Sequence, residues 1–186
     1  MNDRESHFNN IPSGELPQKP RSPIHVVLDN IRSAFNVGSI FRTSDGGAIE
    51  HLHLCGMTAC PPHDRLARTA LGATDYVEWS YHKHTIDAVR ELKAQGIPVV
   101  AVEVTDDAVA HFDYVWPRPV GLVVGHEVRS VSDEVLAACD ATVSIPMYGY
   151  KNTMNVATAY GVVLFEILRQ WRAIDDIARL GRVTDG

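Results

Sequence analysis

Five short runs of apolar and β-branched residues, IHVVLD (24–29), EHLHLC (50–55), PVVAVEV (98–104), VGLVVG (120–125) and ATVSIP (141–146), alternate along this chain with stretches of helical spacing. That alternation leaves few architectures. Strands this short and this apolar have to be covered on both faces, and the helices between them supply the cover, which is the arrangement of an α/β fold with a mainly parallel sheet. The spacing predicts helices over about 33–47, 85–95, 132–139 and 154–171. The second of these carries Ile86, Val89 and Leu92 on one face and stops at Gly96, a residue suited to a helix C-terminus.

Residues 1–23 hold four prolines among polar residues without periodicity and read as a loose arm; 24–172 form one domain, and 173–186 a tail. With 186 residues, 45% hydrophobic and 22% charged, the chain has enough material for a single sizeable core. No apolar run reaches the length of a membrane span, and MNDRESHFNN lacks the basic and apolar parts of a signal peptide, so a cytoplasmic protein is expected. Cys55, Cys60 and Cys139 form no CxxC pair and read as free thiols.

The formal charge of −6 argues against a protein that coats nucleic acid through charge alone. A local patch built from Arg32, Arg42, Arg65, Arg68 and Lys151 stays open, as does the plain alternative of a solvated surface. Nucleotide cradles are absent: GSIFRTSDGG has no GxxxxGK[ST], and no GxGxxG follows the first strand. His51, His53 and Cys55 would share a face of one strand, with Cys60 and His63 close by, but their spacing matches no strong zinc pattern, and no metal is expected. There is no GxSxG elbow and no recognised signature around the cysteines, which argues against covalent catalysis.

Two stretches concentrate polar groups where an α/β sheet binds ligands. On a helical wheel, Ala34, Val37, Ile40, Phe41 and Ala48 occupy one side of the first helix, while Asn36, Ser39, Arg42 and Thr43 occupy the other, just beyond the end of the first strand. The second stretch, IPMYGYKNTMNVATAYGVVLFE (145–166), runs from a strand end through a Gly-containing loop into a strongly apolar helix. It sets Lys151, Asn152, Thr153 and Asn155 beside apolar surface.

Four segments taken in order, NIRSAFNVGSIFRTSDGGAIEHLHLCG (30–56), RTALGA (68–73), LVVGHEVRSVS (122–132) and IPMYGYKNTMNVATAYGVVLFE (145–166), carry a resemblance to the three ordered motifs of the SpoU (TrmH-like) branch of the SPOUT RNA methyltransferases. The resemblance covers about 24–171. It implies a C-terminal trefoil knot, a departure from the rule that chains avoid knots, and a homodimer with S-adenosylmethionine (AdoMet) bound in the knot. It further implies an RNA substrate, tRNA before rRNA, methylated on a ribose 2′-hydroxyl.

Position by position, the resemblance assigns Asn36 and Arg42 to the first motif, Glu127 to the second, and Asn155 to the third, where Thr153 stands in place of the usual Ser. Glu103, Val104, Gly125, Ile145 and Met154 are the cofactor-binding positions it implies. Arg42 would clamp a phosphate and polarise the hydroxyl, since a guanidinium stays protonated, and Glu127 and Asn155 would orient Arg42 and the knot loop. The other function class left open is a noncatalytic RNA-binding or cofactor-sensing protein of the same fold.

Overall fold

A computed structural model describes residues 20–171. Seven strands, β1 (Ser22–Asp29), β2 (Ile49–Cys55), β3 (Trp79–His82), β4 (Val99–Val102), β5 (Val109–Ala110), β6 (Val120–Gly125) and β7 (Ala141–Ser144), form one sheet in the order β3-β2-β1-β6-β4-β7-β5. Every strand pair in it is parallel. The helices are α1 (Ala34–Gly46), α2 (Asp64–Ala70), α3 (Thr85–Ala94), α4 (Asp133–Ala138) and α5 (Val156–Gln170).

The alternation of side chains along β1 divides the core in two. Ile24, Val26 and Leu28 join Val37, Ile40 and Phe41 of α1 and Tyr160, Val163, Leu164, Ile167 and Leu168 of α5 on one face of the sheet. Val27 packs on the other face with Ala88, Val89 and Leu92 of α3 and Val135 of α4. Covering both faces removes the central strands from water, which is the condition parallel sheets require.

The expected helices appear within a residue or two of their sequence limits. Ser33 caps α1, its hydroxyl accepting from the Asn36 amide, and Gly47 ends it. Gly96 follows α3 at φ +74°, a left-handed conformation that glycine adopts without strain. β1 begins at Ser22, inside the stretch read as an arm, because the Ser22 amide donates to the Ala48 carbonyl at 2.7 Å. Three elements, α2, β3 and β5, had no counterpart in the sequence reading. α1 and α2 meet at Gly38, where an added Cβ would lie 2.2 Å from both the Leu66 carbonyl oxygen and Thr69 Oγ1.

Candidate functional site

β1 and β6 are neighbours, and their last residues, Asp29 and Gly125, stand opposite each other. The loops that leave their carboxyl ends therefore start level, at the place where the strand order turns back on itself and open α/β sheets bind ligands. The second loop carries Glu127 to the first. Its Oε2 accepts from the Arg32 amide at 2.9 Å and its Oε1 from the Ser33 amide at 3.0 Å and from Asn36 Nδ2 at 2.8 Å. Asn36 also accepts at Oδ1 from Asn155 Nδ2 at 3.0 Å. Asn155 in turn caps α5, with Oδ1 accepting from the amides of Ala157 and Thr158 at 2.9 and 3.3 Å.

Glu127, Asn36 and Asn155 thus form a chain of side chains that ties the loop after β6, the first turn of α1 and the start of α5 together. Burial pushes the Glu127 carboxyl up. The hydrogen bonds from its own amide, Arg32, Asn36 and Ser33 outweigh that and hold it below the usual 4.5. A carboxylate that accepts three N–H groups from another element is an ionised anchor, fixed in place, and a poor proton shuttle.

Arg42 lies outside this network. It is exposed on α1, and its side chain has no hydrogen bond or ion pair to another described residue. The carboxylate expected to orient Arg42 is engaged with Asn36 instead, because Asn36 sits in the first turn beside Ser33 while Arg42 lies further along α1. Arg32, Arg65, Arg68 and Lys151 are exposed as well. Thr153 is exposed, and its hydroxyl bonds no other described residue.

A cavity of about 310 Å³ opens beyond the carboxyl ends of β4 and β7, within reach of the range usual for small-molecule sites. Val104, Ser144, Ile145, Pro146 and Met147 supply a largely aliphatic wall; Gly149, Tyr150, Lys151 and Asn152 complete it. Of the five cofactor positions, Val104 and Ile145 line this cavity, whereas Met154 does not. Glu103 acts from behind: Oε1 accepts from the Val104 amide at 2.9 Å and Oε2 from the Val131 amide at 3.0 Å, joining the cavity edge to the loop after β6. Gly125 lies under that loop, and a Cβ there would come within 2.3 Å of the Val131 nitrogen. Aliphatic side chains beside the Ser144 hydroxyl, the Tyr150 ring, the Lys151 amine and the Asn152 amide fit a ligand that combines a flat heteroaromatic ring with an ionised amino-acid end, as AdoMet does.

Ser144, Pro146, Met147, Gly149 and Tyr150 had no assigned role, although the last four lie in the loop already identified as the binding junction and Ser144 ends β7 just before it. The backbone amides of Arg32 and Ser33 carry no side-chain signature, and only the fold shows that they face Glu127. The histidines assemble differently from the linear pattern: His25 of β1, His51 and His53 of β2 and His82 of β3 meet across three strands. His53 Nδ1 is 3.0 Å from His82 Nε2, and His51 Nε2 is 2.9 Å from Ser80 Oγ. No group of three or more His, Cys, Asp or Glu among the described residues is arranged to hold a metal ion.

Several known proteins resemble this chain in sequence or architecture. The tRNA (guanosine(18)-2′-O)-methyltransferase of Escherichia coli K12 is 30% identical over 159 residues, which are 84% of this chain and 67% of that protein. The crystal structure of the Aquifex aeolicus TrmH/SpoU tRNA modifying enzyme superposes with a TM-score of 0.76 at 27% identity, covering 85% of this chain and 80% of that one. An AdoMet-bound rRNA methyltransferase from Sinorhizobium meliloti gives 0.74 at 28% identity over 84% of this chain, which spans 59% of that protein. Residues 23–165, from the first strand through most of α5, match the SpoU rRNA Methylase family, and the chain belongs to that family.

Proposed function

We propose that this protein transfers a methyl group from AdoMet to a ribose 2′-hydroxyl of an RNA. The observation that carries this reading is the Glu127–Asn36–Asn155 network, which joins residues of all three family motifs three residues beyond Asn152 in the cavity wall. AdoMet supplies, when bound, a methyl group on a positively charged sulfur. Val104, Ser144, Ile145, Pro146 and Met147 would hold it.

The chain's part is to fix geometry, because displacement at carbon requires the attacking oxygen, the carbon and the leaving sulfur in line. Glu127 locks Asn36, and Asn155 locks both Asn36 and the first turn of α5. Arg42, exposed and without a competing partner among the described residues, serves as the phosphate clamp that positions the ribose. The hydroxyl proton leaves to phosphate or water, since a guanidinium does not act as a base. The chain from Ile145 to Asn155 forms the threaded loop of a trefoil knot in this reading.

The relatives named above act on tRNA or rRNA, and tRNA is the first substrate proposed here. A homodimer is proposed too: Phe35 of α1 and Val162 and Phe165 of α5 are 44%, 38% and 44% exposed, apolar surface of a kind that a second copy would cover. No helix among the described residues is long and apolar enough to cross a membrane, consistent with action in the cytoplasm.

Incubation with tRNA or rRNA and labelled AdoMet, followed by digestion and mass spectrometry, should yield a 2′-O-methylated nucleoside. A methylated base would overturn the reaction. Cofactor binding without transfer to either RNA would favour the noncatalytic reading, and light scattering that returned only a 20.5 kDa species would remove the dimer.

A further inference from the structure

Between β6 and α4 the chain reads GHEVRSVS (125–132), a turn that must present Glu127 while giving each of its backbone amides an acceptor. From 128 to 132 the accounting closes. The amides of Val128 and Arg129 donate to His126 Nδ1 at 3.0 and 3.2 Å. The Ser130 amide donates to the His126 carbonyl at 2.9 Å. The amide of Val131 goes to Glu103 and that of Ser132 to the buried carboxylate of Asp29 at 2.9 Å. Three of five successive amides thus end on His126. The turn they close is strained, with the non-glycine Ser130 at φ +64° in the left-handed region that favours glycine, and half open to water, with Val128 74% exposed.

We propose that His126 is a positioning residue for methyl transfer, its ring stapling the 126–130 turn so that the adjacent Glu127 carboxylate is aimed at Arg32, Ser33 and Asn36. The inference rests on the function proposed above. The ring acts as an acceptor for amides two and three residues down the chain, in the manner of an Asx turn. Accepting at Nδ1 requires the ring proton to sit on Nε2. An asparagine carries its Oδ1 on Cγ, as histidine carries its Nδ1, and so offers the same acceptor at the same distance from the backbone. A phenylalanine keeps the ring and removes the acceptor. Without it, two amides lose their partner, and the turn that bears Glu127 keeps only Glu127's own bonds to 32, 33 and 36 and, at its far end, those to Glu103 and Asp29.

The test compares His126→Phe with His126→Asn in the full chain. His126→Phe should lower kcat about tenfold while the KM for AdoMet stays within about twofold, because the staple serves Glu127 and the cavity wall is built elsewhere. His126→Asn should recover most of the loss. Amide hydrogen exchange at Val128 and Arg129 should be faster in His126→Phe and close to wild type in His126→Asn. Wild-type kcat in His126→Phe, an equal loss in both variants, or a KM for AdoMet that rises in step with the fall in kcat would each overturn the proposal. If the wild-type protein transfers no methyl group, the function proposed above fails; exchange still decides the staple, which falls if exchange at 128 and 129 is the same in all three proteins.

Discussion

Asn155 Nδ2 donates to Asn36 Oδ1 across 3.0 Å, linking two side chains 119 positions apart, while the same Asn155 holds the N-terminus of α5 through its Oδ1. The two duties separate by substitution. Aspartate caps a helix as well as asparagine but cannot donate, and Asn36 cannot turn its amide round to compensate because its Nδ2 is held by Glu127. Asn155→Asp should therefore keep thermal stability near that of the wild type and lower methyl transfer about tenfold. Asn155→Ala should lose both, with a stability cost of about 1 kcal/mol from the missing cap. Thermal unfolding measured beside the transfer assay checks the separation, and equal stability losses in the two variants would contradict it.

Arg42 carries a contrasting expectation. It touches neither the Glu127 network nor the cavity wall, so Arg42→Ala should remove most methyl transfer and leave AdoMet affinity nearly unchanged. Arg42→Lys should restore little, since an ammonium does not reproduce a planar two-pronged contact to phosphate. Calorimetry with the cofactor decides it: a clear loss of affinity in a folded Arg42→Ala protein would move Arg42 to the cofactor.

Gly38 is constrained by contact. A methyl group there would sit 2.2 Å from the Leu66 carbonyl oxygen, a backbone atom that moves only if α2 moves. Gly38→Ala should cost about 1–3 kcal/mol by overpacking, despite the better helix propensity of alanine. Denaturant unfolding measures it, and a neutral or stabilised variant would show that α2 gives way freely.

The histidines on the sheet face give a signed pH dependence. Burial, then the neighbouring His51, His82 and His25, push His53 down from 6.5 to about 3. A folded pKa below the unfolded one means that the unfolded chain takes up a proton the folded chain refuses. Stability is complete above pH 6.5 and falls as pH drops from there towards about 3. His53→Leu should flatten that slope. Thermal unfolding over this range tests it, and an unchanged slope would place the acid sensitivity elsewhere.

The elements expected from the sequence are β1, β2, β4, β6 and β7, and the helices α1, α3, α4 and α5; most of them bury a long apolar pattern, although α4 spans six residues and buries only Val135. β3 escaped because Trp79–His82 is an edge strand with no residue fully buried, so WSYH shows no apolar run. β5 is two residues on the opposite edge. α2 spans seven residues and buries only Leu66 and Ala70, and the sequence reading did not identify it. At the site, the motifs named Asn36, Glu127 and Asn155, which the fold brings into one hydrogen-bonded chain; the partner expected for the carboxylate was Arg42, and the one observed is Asn36. Which residue Glu127 meets depends on β1 and β6 ending level, a fact of strand register that no local pattern encodes.

Glu127 grips the Arg32 position by its amide and leaves the guanidinium exposed. An anchor made through the backbone is indifferent to the side chain it holds, so position 32 can change its chemistry without loosening the loop. A single substitution at 32 that keeps the amide N–H therefore changes the charge of that surface and leaves the Glu127–Asn36–Asn155 chain in place.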